Sequence, residues 1–106
     1  MKKNAMDINA RELKAKLDNN EDFVLIDVRE PYEHDEFNVG GQLIPLGSLP
    51  HQMEALKKHQ NSEVVVYCRS GNRSGSAKDF LQKNGFSNVR NLTGGMMGWI
   101  AEFGAD

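Results

Sequence analysis

The sequence predicts an α/β domain built on a mainly parallel sheet flanked by helices, and three observations carry that prediction. Apolar runs at 23–28, 42–46, 63–67 and 88–92 have the length of strands. Segments with helically spaced apolar residues separate them, the alternation expected of βαβ units. The best-defined runs are continuous rather than alternating, as in strands covered on both faces.

Taken in order, the first element is a helix opening at Asn9. Asn9 and Glu12 have capping-box spacing, Ile8 and Leu13 stand where a hydrophobic staple closes, and Leu17 shares a face with Leu13. Asp18-Asn19-Asn20 ends it with turn-forming residues. In the first strand, Asp27 interrupts an otherwise apolar Phe23-Val24-Leu25-Ile26-Asp27-Val28. Pro31 suits the first turn of a short helix through Glu33, His34 and Phe37, which Asn38-Val39-Gly40-Gly41 breaks. Pro45 marks the end of the second strand, and a helix follows from Ser48 to about Lys58 through Leu49, Met53 and Leu56.

The third strand ends at Cys68. The next helix spans about 73–84 with Ala77, Phe80 and Leu81 inward, Gly85 in the left-handed position after its end, and Phe86 covering that end. After the fourth strand, Thr93-Gly94-Gly95 turns the chain into a final helix with Met96, Trp99, Ile100 and Phe103 on one face.

Composition bounds the function. A chain of 106 residues fits one domain, here taken as 1–106. A net charge of −2 argues against a nucleic-acid or anionic-membrane binder. Met1-Lys2-Lys3 is basic, but no apolar stretch follows it, so no signal peptide is expected, and no run is long enough to span a bilayer. One cysteine excludes an internal disulfide framework, and a reducing, cytoplasmic setting is the default expectation. His34, His51 and His59 lack metal-ligand spacing and read as surface residues.

The chemistry concentrates at Cys68-Arg69-Ser70-Gly71-Asn72-Arg73-Ser74. A thiol between a strand end and a helix start faces unpaired N–H groups and the positive end of the helix dipole, which favour thiolate. Gly71 lets successive N–H groups turn inward as an anion nest, Arg69 and Arg73 attract anions, and Ser70, Asn72 and Ser74 offer hydrogen bonds. A lone cysteine is more often a small buried hydrophobe, but no core position needs such neighbours. Asp27, Arg29 and Glu33 read as a structural ion-pair network beside the loop, because a charge in an apolar strand needs a partner.

Tyr67-Cys68-Arg69-Ser70-Gly71-Asn72-Arg73-Ser74 resembles the active-site loop of a single-domain rhodanese, the thiosulfate sulfurtransferase family. Asp27-Val28-Arg29-Glu30-Pro31-Tyr32-Glu33 resembles that family's Asp-x-Arg-x-x-x-Glu segment, and Leu92-Thr93-Gly94-Gly95-Met96-Met97-Gly98-Trp99 its Leu-x-Gly-Gly-x-x-x-Trp. The three stand in register over nearly the whole chain. One stretch departs: where the family commonly carries Gly-His-Ile-Pro-Gly-Ala, residues 37–45 are one residue shorter and lack the histidine. That variant is also expected in domains fused to sulfur-carrier adenylating enzymes.

The resemblance implies a three-layer rhodanese-like fold and a double displacement that needs no cofactor and no metal. Cys68 takes a sulfane sulfur from thiosulfate or a similar donor, holds it as a persulfide stabilised by residues 69–74, and yields it to cyanide, a small thiol or a protein thiol. A cysteine phosphatase or arsenate reductase is the first alternative, but those loops read Cys-x5-Arg and this one reads Cys-x4-Arg, a cradle sized for sulfur. A catalytically idle binding module is the second, but such modules usually lose the cysteine.

Overall fold

The structure, a computed structural model, describes residues 6–105, so the basic Met1-Lys2-Lys3 start lies outside the described residues. Four strands, β1 (Val24–Asp27), β2 (Gln42–Leu43), β3 (Val64–Tyr67) and β4 (Val89–Asn91), form one sheet in the order β2-β1-β3-β4. Every pairing is parallel. Among the described residues, five α-helices accompany them: α1 (Ala10–Asp18), α2 (Pro31–Glu36), α3 (Met53–Leu56), α4 (Asn72–Lys83) and α5 (Gly95–Phe103).

Both faces of the sheet are covered, which explains the continuous apolar strands. Val64 and Val66 point into one core with Ile26, Ala77, Leu81 and Phe86. Val65 and Tyr67 point into the other with Ile8, Leu13, Met96 and Trp99. The three layers are thus α3 and α4, the sheet, and α1 and α5. Cys68 is in phase with Val64 and Val66, so it falls on the α4 side. Among the described residues, no helix is long and apolar enough to cross a membrane.

The capping details follow the sequence closely. Asn9 Oδ1 accepts the Glu12 N–H at 2.8 Å, Glu12 Oε1 accepts the Asn9 N–H at 2.9 Å, and Ile8 and Leu13 are both buried in one cluster. After α4, Gly85 takes φ +93°; its N–H donates to Gln82 O and that of Phe86 to Leu81 O, a Schellman ending with Phe86 packed in Leu81's core.

Two expectations need correction. The single helix predicted from Ser48 is broken into 3₁₀ turns at Leu46–Gln52, one α-turn at α3 and a further 3₁₀ turn at Lys57–His59. Pro50 sits inside that stretch and supplies no N–H to a helical ladder. On α5, Met96 and Trp99 are buried as expected, but Ile100 and Phe103 are about two-fifths exposed, at 41% and 37%. Phe103 meets only the edge of Trp99 and the Lys14 ammonium, and Ile100 faces an open cleft, so that flank of the helix keeps its exposure to solvent.

Topology selects one crevice. From β1 the chain passes outward to β2, then returns to place β3 on the other side of β1, so the direction of winding reverses between β1 and β3. Ligands of open parallel sheets bind at the carboxyl ends of strands at such a point. Here those ends deliver Arg29 and Cys68. α5 closes the crevice from behind: the Met96 and Met97 N–H groups donate to Cys68 O and Arg69 O, each at 2.9 Å. Gly95, at φ +56°, makes this approach possible, because a Cβ there would stand 2.5 Å from Arg69 C and O and from Cys68 O.

Gly95→Ala should therefore lower stability by roughly 2 kcal/mol or more, combining left-handed strain with overpacking; equilibrium urea unfolding measures it.

Candidate active site

β3 delivers Cys68 directly under the N-terminus of α4. Gly71 at φ +106° reverses the backbone so that the helix starts at Asn72 with its free N–H groups turned toward the sulfur. Sγ accepts from Gly71 N at 3.1 Å, Ser74 N at 3.3 Å and Ser74 Oγ at 3.2 Å. The residue is only 1% exposed, so these groups replace water. Burial pushes the Cys68 thiol up, but the Ser74 hydroxyl and the N–H groups of Ser74, Gly71 and Ser70 outweigh it and hold the thiol below its ordinary value. The site favours a charged sulfur.

The loop residues divide the work unevenly. Ser74 is fully buried against the sulfur; Ser70 contributes its backbone, and the side chains of Ser70 and Asn72 are exposed rather than turned onto Sγ. The hydrogen bonds expected of those two side chains are absent because both stand on the outer side of the turn.

The arginines also differ. Arg73 makes a two-pronged ion pair with Glu33, Nη1 to Oε1 at 2.7 Å and Nη2 to Oε2 at 2.9 Å. Arg69 is exposed, and no hydrogen bond or ion pair of its side chain is found among the described residues.

This corrects the network predicted around Asp27. Asp27 is fully buried and accepts from Arg29 N, Nε and Nη2 at 3.0, 2.9 and 2.8 Å. Glu33 does not join that pair. It lies on α2, one turn into the helix, and faces α4, where Arg73 is within reach. His34, expected at the surface, takes the place instead: its Nδ1 lies 2.8 Å from Asp27 Oδ2 and its side chain is only 21% exposed. Burial alone would raise the Asp27 carboxyl, but hydrogen bonds from Arg29 and His34 hold it below the usual carboxylate range. An ionised Asp27 only accepts, so His34 Nδ1 carries the proton. Arg29 Nη2 also reaches Phe37 O at 2.7 Å, and Tyr67 Oη donates to Gly40 O at 2.8 Å, so the shortened 37–45 stretch is tied to β1 and β3.

A cleft of about 310 Å³ opens beside the loop, lined by Arg29, Tyr32, Phe37, Arg69, Met97 and Ile100 among others. It sets the unpaired Arg69 and the carboxylates of Glu33 and Glu36 beside an apolar wall. Asn91, overlooked in the sequence, reaches the loop from β4: Nδ2 donates to Gly71 O at 3.0 Å and Oδ1 lies 2.5 Å from Ser74 Oγ. Its one signal was a polar residue closing a strand next to the cysteine strand.

The Glu33–Arg73 pair has a definite pH signature. Hydrogen bonding from Arg73 brings the Glu33 carboxyl down to about 2 from an ordinary 4.5, against a smaller upward push from burial. The unfolded chain then binds the extra proton first, so this stabilisation is complete above about 4.5 and is lost as pH falls toward about 2. Glu33→Gln should cost roughly 1 kcal/mol at neutral pH, discounted for the half-exposed arginine, and should flatten the acid limb of stability; urea unfolding across that pH range checks it.

Comparison with known proteins agrees with this geometry. The rhodanese-like domain family matches residues 9–102. The chain is 41% identical over 101 residues to the Mycobacterium tuberculosis protein named "Probable adenylyltransferase/sulfurtransferase MoeZ", covering 93% of this chain but 26% of MoeZ. It is 35% identical over 94 residues to a protein of Allochromatium vinosum named "Sulfurtransferase", covering 88% and 86% of the two chains. The crystal structure of a rhodanese-like domain protein from Staphylococcus aureus superposes with a TM-score of 0.79 at 29% identity, over 93% of this chain and 91% of that one. With the fold, the loop and these relatives in accord, the chain belongs to the rhodanese-like domain family.

Proposed function

We propose that this protein is a sulfurtransferase that carries a sulfane sulfur on Cys68. The observation behind the proposal is a buried sulfur held by backbone N–H groups and a hydroxyl at a helix N-terminus, with Arg69 unpaired at the rim. Relatives named sulfurtransferases support sulfur transfer in general; thiosulfate and the acceptors named below are the finer part of the proposal.

In the first half-reaction the Cys68 thiolate attacks the outer sulfur of thiosulfate. A new S–S bond forms at Cys68, the donor's S–S bond breaks, and sulfite leaves with the electron pair. Arg69 is the group available to bind the anionic donor, whereas Arg73 is occupied by Glu33 and holds the loop in shape. The backbone N–H groups of the loop are placed to stabilise the persulfide. In the second half-reaction cyanide, a small thiol or a protein thiol takes the outer sulfur, and Cys68 leaves as thiolate. No second cysteine exists to intercept the persulfide as an internal disulfide.

The phosphatase alternative fares worse on geometry as well as spacing. Such a loop needs its terminal arginine free to wrap an oxyanion, and both prongs of Arg73 are committed to Glu33. The idle-module alternative is opposed by an intact cysteine under three donors.

Thiosulfate should add the mass of one sulfur atom to the intact protein, and cyanide should discharge it as thiocyanate; Cys68→Ser should abolish both. Aryl-phosphate hydrolysis without thiocyanate would overturn the proposal in favour of the phosphatase, and inactivity in both assays would favour the binding module. Arg69→Ala should raise KM for thiosulfate about tenfold, the scale of one charge-assisted hydrogen bond, with a smaller effect on kcat; steady-state cyanolysis separates the two.

A further inference from the structure

Ser74 has one hydroxyl proton and two acceptors competing for it. Its Oγ lies 3.2 Å from Cys68 Sγ and 2.5 Å from Asn91 Oδ1. The Asn91 amide is fixed in orientation, because Gly71 O only accepts and so must face Nδ2, at 3.0 Å. That leaves Oδ1 toward Ser74, and between an amide oxygen and a hydroxyl only the hydroxyl donates. The amide also has little freedom to turn. Its Nδ2 lies 3.6 Å from the place a Cβ on Gly75 would occupy, and the Asn91 N–H is held by Asp7 Oδ1 at 3.0 Å.

We propose that Asn91 is a positioning residue that sets the basicity of the Cys68 sulfur by competing with it for the Ser74 proton. While Cys68 carries its proton, the chain of donors is complete: S–H to Ser74 Oγ, and Ser74 O–H to Asn91 Oδ1. When the sulfur ionises, Ser74 turns its proton to Sγ and gives up Asn91. This assignment rests on the sulfurtransferase reading only for its purpose. In a persulfide Sγ is no longer an anion and the proton returns to Asn91. At discharge the bond between Sγ and the outer sulfur breaks, Sγ takes the electron pair, and Ser74 turns back to it. Asn91 thereby keeps the thiolate from being stabilised so far that it attacks poorly, since nucleophilicity falls with basicity.

Other ionisable groups stand around the sulfur. Tyr67 precedes it on β3, Asp27 lies on β1 with Arg29 and His34, and Glu33 lies on α2 paired with Arg73 of α4. Arg69 is at the rim and Asp7, paired with Lys78, stands behind Asn91, whereas His51 is exposed on the 3₁₀ segment and Glu102 of α5 is paired with Arg11 of α1. All are unchanged in the variants below, so a shift between variants reports the Ser74 contest.

The test is the pH profile of iodoacetamide alkylation in the unmodified protein, where Cys68 is the sole thiol. Asn91→Leu should move the midpoint about half to one pH unit lower, the effect of one hydrogen bond no longer shared. In a Ser74→Ala background the same substitution should move it far less. A midpoint that stays or rises in Asn91→Leu, or an equal shift with and without Ser74, overturns the proposal. If Asn91→Leu does not fold, Asn91→Asp decides: as a stronger acceptor it should raise the midpoint, and by more when Ser74 is present than when it is absent; equal shifts overturn it. The readout is the thiol alone, so failure of sulfur transfer leaves this result standing or falling by itself.

Discussion

The upper end of this sheet is organised by one constraint: a sulfur taken almost wholly out of water must still be able to carry charge. An unpaired charge in the interior costs several kcal/mol, and a thiolate survives there only when donors stand in for the solvent it lost. A helix N-terminus supplies such donors without side-chain entropy, because its first N–H groups have no partner within the helix. Gly71 is the residue that makes the supply usable, since its left-handed backbone turns the loop back and lets α4 begin directly over Sγ.

Those donors hold their aim only if the loop is fixed from every side, and the rest of the site does this. α5 packs its own N-terminus onto the carbonyls of Cys68 and Arg69, so the loop's outward groups are satisfied as well as its inward ones. Arg73 fastens α4 to α2 through Glu33, bridging the two strand ends at the crevice. Asp27 secures the other bank by gathering Arg29 and His34, and Arg29 passes the connection on to Phe37. Charged residues that look functional in a list are here largely structural, and the division of labour between Arg69 and Arg73 follows from which one Glu33 can reach.

Local signals were the legible ones. The Asn9 capping box, the Gly85 Schellman ending and the continuous valines of β3 depend on residues a few positions apart, and each has one favourable geometry. The cysteine loop was legible for the same reason, as a strand end, a glycine and a helix start in immediate succession. What stayed hidden depends on contacts distant in sequence. Glu33 and Arg73 are forty positions apart, and nothing local distinguishes Arg73 from Arg69. His34 reads as solvent-facing until α2 is docked over β1. Asn91 closes a strand whose neighbour in space ends at Cys68, so its amide meets the loop only once β3 and β4 are paired.

The same geometry bears on which molecules the site accepts. A persulfide places its outer sulfur about 2 Å beyond Sγ, one S–S bond length, which is a short extension from a position 1% exposed. On the proposed reading, a donor must present a slender sulfur terminus to reach Sγ, and an acceptor a slender terminus to reach the outer sulfur, since bulk near either atom would meet the loop first. Beyond that point the cleft runs along Tyr32, Phe37, Met97 and Ile100, with Arg69 and the Glu36 carboxylate as its charges outside any ion pair among the described residues. The deep part of the site offers a sulfur hydrogen bonds that, on the same reading, any sulfane donor can use. The outer part, an apolar wall beside Arg69 and Glu36, is where donors and acceptors would differ on that reading. On the proposed reading, selectivity among partners rests on α2, α5 and Arg69, and the chemistry on the donors gathered around Cys68.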